Sequence, residues 1–107
     1  MYDPERGDQM LKKNYSKTGN FCRTTFKLPP ETHAKTAELC GDFNNWQPNG
    51  KFMKRLKNGG FSVTVSLSAN RAYRFRYLLD GERWDNDWEA DAYIPNEFGS
   101  EDSVVKV

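Results

Sequence analysis

Two neighbouring stretches with a strict two-residue period restrict this chain to a β-rich fold. In residues 61–68, apolar side chains alternate with serine and threonine, and in residues 71–79, aromatic and leucine side chains alternate mainly with arginine. Such alternation places one side of a strand on a core and the other side toward solvent. The dipeptides Ala69-Asn70 and Asp80-Gly81 follow the two stretches and are typical of tight turns. The two stretches therefore predict antiparallel strands joined by hairpins.

Shorter β-rich stretches flank this central pair. They cover residues 21–28, 36–40, 52–56, 82–84 and 103–107. Asn58-Gly59-Gly60 supplies a further hairpin turn, because its residues tolerate positive φ angles. About seven short strands, with turn signals between them, predict an all-β fold of the immunoglobulin-like antiparallel β-sandwich type.

The first 19 residues do not follow this pattern. They are polar and lack β alternation, so we expect residues 1–19 to form a tail or a short helix and residues 20–107 to form the domain. The total length of 107 residues suits one domain that buries a modest core.

Charge and hydropathy argue against two classes of partner. The chain has 16 Lys and Arg against 15 Asp and Glu, whereas nucleic-acid binding relies on clustered excess positive charge. No apolar run approaches the length of a membrane span, and we expect no signal peptide before the domain. We therefore expect a cytoplasmic protein that binds neither nucleic acid nor membrane.

The sequence offers little that could support catalysis or metal binding. His33 lies in a loop without a catalytic partner, and Cys22 and Cys40 are expected to be buried thiols, although a disulfide between them stays open. Acidic residues at 85, 87, 89 and 91 are spaced like the start of a calcium loop, but Ala90 and Asn96 replace its glycine and its last glutamate. We predict that the protein is not an enzyme and has no catalytic residue, metal or other cofactor.

Aromatic residues in turns are the strongest functional signal. Gly41-Asp42-Phe43-Asn44-Asn45-Trp46 combines turn formers with two large rings. A loop tryptophan beside amides can stack on a sugar ring, or it can close the end of the core. For Phe43 a core position is favoured, and for Trp46 both interpretations stay open.

Two more tryptophans follow the Asp80-Gly81 turn. Trp84 could serve equally as a sugar platform or as part of the core. For Trp88 a role in the core or as a loop anchor is favoured.

Three ordered motifs in this sequence resemble carbohydrate-binding module family 48. They are Gly41–Trp46, then Tyr73–Gly81 with Trp84 after it, and then Phe98–Val105, and the resemblance covers about residues 20–107. This is the early-set domain at the N-terminus of isoamylases and glycogen-branching enzymes, and the glycogen-binding domain of AMP-activated protein kinase β subunits. The resemblance implies an immunoglobulin-like sandwich, in agreement with the strand pattern.

The resemblance also implies a set of site residues. In glycogen-binding members two tryptophans stack on α-1,4-linked glucose units, and these correspond to Trp46 and Trp84. A basic residue on the preceding strand corresponds to Arg76, and an apolar residue that reaches the sugar ring corresponds to Phe98. Asp102 stands where an asparagine binds sugar, so that it can accept hydroxyl hydrogen bonds but lacks the amide donor.

These observations lead to a functional prediction with one alternative. The resemblance implies a non-catalytic module that binds an α-1,4-linked glucan such as glycogen or starch through stacked tryptophans. In the alternative, the same aromatic surface docks a protein partner, such as a glucan-processing enzyme, without binding sugar. A sugar site should expose Trp46 and Trp84 near Arg76, whereas a docking surface should form a wider apolar patch.

Overall fold

The computed structural model describes residues 10–46 and 51–107, which form nine β-strands. The strands are β1 (Leu11–Tyr15), β2 (Phe21–Leu28), β3 (Ala37–Gly41), β4 (Lys54–Arg55), β5 (Phe61–Ser68), β6 (Ala72–Leu79), β7 (Arg83–Asp85), β8 (Ala92–Pro95) and β9 (Glu101–Lys106). Two single 3-10 turns, Pro30–Thr32 and Asp42–Asn44, flank β3.

The strands form two antiparallel sheets. The first sheet has the order β1-β2-β5-β4, and the second has the order β3-β6-β9-β8, with β7 also paired to β6. The predicted all-β sandwich is therefore confirmed. In the described part of the chain, no helix is long and apolar enough to cross a membrane.

The core lies between the two sheets, and its largest buried side chains are aromatic. The Phe26 ring on β2 packs edge-on against the Phe75 ring on β6, with centroids 5.0 Å apart. Phe75 in turn contacts Tyr77, with centroids 5.7 Å apart. Phe75 and Tyr77 are fully buried, as their alternation in the sequence predicts. Arg74 and Arg76 consequently lie on the opposite, outer side of β6.

The largest difference from expectation lies at the N-terminus. The structure has a strand at Leu11–Tyr15 where we expected a tail or a short helix, and Met10 before it is fully buried. This edge strand pairs with β2 over its whole length, so main-chain hydrogen bonds replace the side-chain alternation that it lacks. Residues 1–9 lie outside the described residues, and the expectation for them stays a prediction.

Two smaller differences lie elsewhere. The edge strand expected over residues 52–56 is only two residues long, and β8 (Ala92–Pro95) is a strand that was not predicted. The two cysteines are buried and form no disulfide, as expected. Burial and the nearby Glu38 carboxylate raise the pKa of Cys40 to about 11, which keeps this thiol protonated and unreactive at neutral pH.

Candidate functional site

The site is built where the second sheet divides. β3 pairs along one edge of β6, while two strands share the other edge: β9 pairs with residues 72–75 and β7 with residues 77–79. Arg76 lies at the division between them. The change of strand partner along this edge of β6 therefore leaves a concave surface on the outer face of the second sheet.

An open pocket of about 780 Å³ covers this division. All five residues that the sequence analysis selected line it: Trp46, Arg76, Trp84, Phe98 and Asp102. The other five lining residues were not predicted from the sequence: Asp42, Arg74, Pro95, Asn96 and Glu97. Arg74 could have been found, because it lies two residues from Arg76 on the same side of β6.

The Trp46 loop is held in a tight and strained conformation. After the 3-10 turn at Asp42–Asn44, both Asn45 and Trp46 adopt left-handed backbone angles, with φ of 58° and 57°. The Trp46 amide donates to the carbonyl of Gly41 at 2.9 Å. A bulky residue in this region of φ/ψ space is an outlier that persists only when its surroundings hold it, and such strain often marks functional sites.

Gly41 allows this loop to approach the sheet. A Cβ atom at this position would lie 2.5 Å from the carbonyl oxygen of Arg74 and 2.9 Å from the Cβ of Phe75. Only glycine therefore fits where β3 ends against β6. Phe43 lies on the inner side of the loop and packs against the core rings of Phe26 and Tyr73, as predicted.

Asp42 fixes the orientation of the Trp46 side chain. Its Oδ1 accepts a hydrogen bond from the indole Nε1 of Trp46 at 2.9 Å, and its Oδ2 accepts one from the main-chain amide of Arg74 at 2.8 Å. One carboxylate thus connects the loop tryptophan to β6, so that the ring is positioned before any ligand is bound.

Trp84 and Arg76 form the middle of the pocket. Trp84, on β7, is 41% exposed, and the Arg76 guanidinium carbon lies 6.0 Å from the centroid of its ring, at the limit of a cation–π contact. The Arg76 Nε atom is buried and has no hydrogen-bond partner among the described residues. A buried donor without a partner costs about 1–3 kcal/mol, so this atom is a natural place for a ligand acceptor.

The β8–β9 hairpin forms the remaining wall, and Asn96 organises it. The Asn96 side-chain oxygen accepts hydrogen bonds from the amides of Phe98 at 2.9 Å and Ser100 at 3.2 Å. Its amide nitrogen donates to Asp102 Oδ1 at 3.1 Å. This arrangement leaves the Phe98 ring at the hairpin tip, 83% exposed.

Asp102 is less accessible than its predicted role suggests. It is only 7% exposed, and its Oδ2 lies 3.6 Å from the guanidinium of Arg74. Asn96 and Arg74 therefore already engage both carboxylate oxygens, and only an edge of the group faces the pocket.

The pocket carries both signs of charge. Two arginines, Arg74 and Arg76, face three carboxylates, Asp42, Glu97 and Asp102. Donors and acceptors are thus mixed around exposed aromatic rings, which suits a neutral ligand with many hydroxyl groups better than a charged one. No group of three potential metal ligands occurs within residues 10–46 and 51–107.

A protein-family model matches most of the chain. The family model of carbohydrate-binding module 48 (isoamylase N-terminal domain) matches residues 15–94, which is three-quarters of the chain. The chain belongs to this family. The match to carbohydrate-binding module 48 includes Trp46, Arg76 and Trp84, while Phe98 and Asp102 lie beyond it. No curated protein matches the chain.

Trp88 is the tryptophan that does not line the pocket. It is 46% exposed, so the favoured alternative of a core position is wrong for this residue, whereas an anchoring role within its loop stays a prediction. The residue offers a matched control for experiments on the other two tryptophans.

Proposed function

We propose that this protein is a non-catalytic module that binds α-1,4-linked glucans of the glycogen and starch type. The observation that carries the proposal is the convergence of Trp46, Arg76 and Trp84 on one pocket, on the outer face of the second sheet. Membership of carbohydrate-binding module 48 supports binding of carbohydrate in general. The type of glucan and the contact residues are part of the proposal.

The proposed contacts follow from the chemistry of a glucose unit. Its C–H faces stack on the indole rings of Trp46 and Trp84, and the exposed Phe98 ring covers an adjoining unit. A hydroxyl oxygen accepts a hydrogen bond from Arg76 Nε, which satisfies that donor. Hydroxyl hydrogens are donated to the accessible edge of Asp102. A volume of about 780 Å³ accommodates a short stretch of the chain.

The use of the carboxylates in this pocket supports a non-catalytic role. A glycosidase needs two carboxyl groups placed on either side of the bond that is cleaved. Here both oxygens of Asp42 and both of Asp102 are engaged with neighbouring groups of the protein. Of the three pocket carboxylates, Glu97 alone has no such partner among residues 10–46 and 51–107. We further propose a cytoplasmic location, where glycogen-type polymers are stored.

Titration of the full chain with maltoheptaose and β-cyclodextrin tests this proposal. The chain contains three tryptophans, two of which line the pocket, so intrinsic fluorescence reports on the site. We expect a saturable change and retention on glycogen, both lost in Trp46→Ala and kept in the control Trp88→Ala. Loss in both variants, or in neither, would contradict the assignment of the site.

The alternative, docking of a glucan-processing enzyme, makes a different prediction. Five charged residues interrupt the aromatic surface, so the pocket lacks the wide apolar patch expected of a docking surface. If millimolar sugar leaves the fluorescence of the folded protein unchanged, the sugar proposal is wrong and the protein-docking alternative is favoured.

A further inference from the structure

The outer face of the first sheet has a charge pattern that the proposed glucan site does not explain. The four strands β1, β2, β4 and β5 contain no aspartate or glutamate. Side chains at alternate positions point away from the core, and the charged ones among them are Lys12, Arg23, Lys27 and Lys54. We call this surface the cationic face.

Strand register brings three of these cations together. Lys12 on β1 lies opposite Thr25 on β2, so its diagonal neighbours on β2 are Arg23 and Lys27. Diagonal neighbours in an antiparallel pair are about 7–8 Å apart. Between them the hydroxyls of Thr25 and Thr64 form a hydrogen bond of 2.9 Å. The result is a flat, hydroxyl-bearing surface surrounded by positive charge.

No acidic side chain of the four strands balances the charge on this face. None of its four cations forms an ion pair within the described ranges, 10–46 and 51–107. Two cations elsewhere do have acidic partners: Lys13, on the other side of β1, is 2.7 Å from Asp91, and Arg74 is 3.6 Å from Asp102. Like charges placed together repel one another, and a surface of opposite sign relieves that repulsion.

We propose that the cationic face docks an acidic protein surface. Phe21 lies on the same side of β2 as Arg23, and its side chain is 53% exposed. Exposed aromatic and arginine side chains are the types enriched in protein interfaces. The threonine and serine hydroxyls can both donate and accept hydrogen bonds, which matches the mixed groups of a protein surface better than phosphates that only accept.

The overall charge favours a protein over a nucleic acid. The chain has a net charge of only +1, so its cations are offset by acidic residues outside the first sheet, and the attraction is confined to one face. The glucan pocket lies on the outer face of the other sheet. Both faces can therefore be occupied at once, and the docking proposal does not depend on the glucan proposal.

Charge reversal on the full chain tests this proposal. The face variant is Lys12→Glu/Arg23→Glu/Lys27→Glu. The control variant is Lys17→Glu/Lys57→Glu/Lys106→Glu, which makes the same change in net charge at exposed positions off this face. The probe for an acidic protein surface is fluorescein-labelled poly-L-glutamate, with binding followed by anisotropy and by amide shifts in NMR spectra. Vesicles containing phosphatidylserine and a DNA duplex serve as the two comparison probes.

We expect poly-L-glutamate to shift amides of β1, β2 and β5, and to bind about tenfold more weakly to the face variant than to the control. Glycogen retention should be the same in both variants, which separates this test from that of the glucan site. Equal weakening in the two variants would overturn the proposal, because it would show only a response to net charge. Tighter binding of vesicles or DNA than of poly-L-glutamate would also overturn it, in favour of a membrane or nucleic-acid partner.

Discussion

The outer faces of the two sheets differ in how regularly buried and exposed side chains alternate, and the proposed glucan site lies on the less regular face. On the first sheet, the outward side chains of β2 and β5 are hydroxyls and cations apart from Phe21, and they follow the two-residue alternation. On the second sheet, the alternation of buried and exposed side chains is incomplete. Three side chains that do not belong to the core between the sheets are also buried: Cys40, Leu78 and Val104. The regular face is flat, whereas the irregular face contains the pocket.

The difference arises from how the two sheets pair their strands. β5 pairs along its whole length with β2, so the first sheet has no internal division. Along one edge, β6 pairs first with β9 and then with β7. The Trp46 loop lies beside the opposite edge, where β3 ends. Departures from regular pairing are thus where this fold creates a concave surface. Of the four predictions below, two compare the two faces directly, and the other two test groups that support the second sheet and its pocket.

The largest expected effect concerns a buried carboxylate near the second sheet. Asp87 is 1% exposed; burial raises its pKa from 3.8 to about 6, opposed by hydrogen bonds from the Tyr77 hydroxyl and the Glu89 amide. The folded state therefore binds the proton more tightly than the unfolded state. The resulting stabilisation is complete below pH 3.8 and is lost as the pH rises through about 6.

The variant Asp87→Asn isolates this effect because it does not titrate, while its oxygen can accept from the Glu89 amide and its NH2 group can donate to the Tyr77 hydroxyl. Between pH 4 and pH 7 we expect the wild type to lose on the order of 2–3 kcal/mol of unfolding free energy relative to the variant. Urea unfolding at the two pH values measures the difference. Parallel pH profiles for the two proteins would show that Asp87 is ionised in the folded state at both values.

The next effect concerns an arginine on each outer face. Arg76→Lys removes the buried Nε that has no partner, so we expect unchanged or slightly higher stability and glucan affinity about tenfold lower. Arg23→Lys on the first sheet is the matched control and should leave glucan affinity unchanged. Calorimetric titration with maltoheptaose distinguishes them. Equal affinities for the two variants would remove Arg76 from the site.

A smaller effect is expected from the residue that positions Trp46. In Asp42→Asn, the amide can accept a hydrogen bond from either the indole of Trp46 or the amide of Arg74, but not from both. We expect glucan affinity to fall about fivefold, equivalent to one neutral hydrogen bond.

A double-mutant cycle checks this role. Trp46→Phe lacks the indole N–H, so Asp42→Asn should reduce glucan affinity less in that background than in the wild type. An additive loss would mean that Asp42 acts without Trp46.

The smallest expected effect compares two exposed phenylalanines. Phe98→Ala should lower glucan affinity about threefold without changing the midpoint of thermal unfolding, because the ring is 83% exposed. Phe21→Ala, on the cationic face, should not change glucan affinity. Pull-down on glycogen is sensitive enough for both. A loss of retention from Phe21→Ala alone would reverse the assignment of the two faces.

Much of the fold could be predicted because alternation and turn residues act locally. The strands β2, β5 and β6 and the turn at Gly59 follow directly from their own residues. The strand β1 could not be predicted, because its residues carry no clear period and it forms through main-chain pairing with β2. The two-residue β4 and the strand β8 likewise depend on partners that are distant in the sequence.

The candidate site was predictable only in part. Its aromatic residues and Arg76 belong to motifs that can be identified in the sequence, whereas the groups that hold them in place do not stand out there. Asp42 belongs to the loop motif, yet only the structure shows that its two oxygens connect Trp46 with Arg74. The same holds for Asn96, whose three hydrogen bonds join residues that the sequence shows only as a turn.

The ordered hairpin around Asn96 has a kinetic consequence for the proposed function. A wall that is already folded needs no rearrangement when a chain arrives, so association is fast and differences in affinity arise mainly in dissociation. A shallow, solvated site also releases its ligand quickly. A branched polymer has many equivalent glucan chains within reach. A module that is released from one chain is therefore bound again by a neighbouring chain. The module would then remain on the particle while moving continually across its surface.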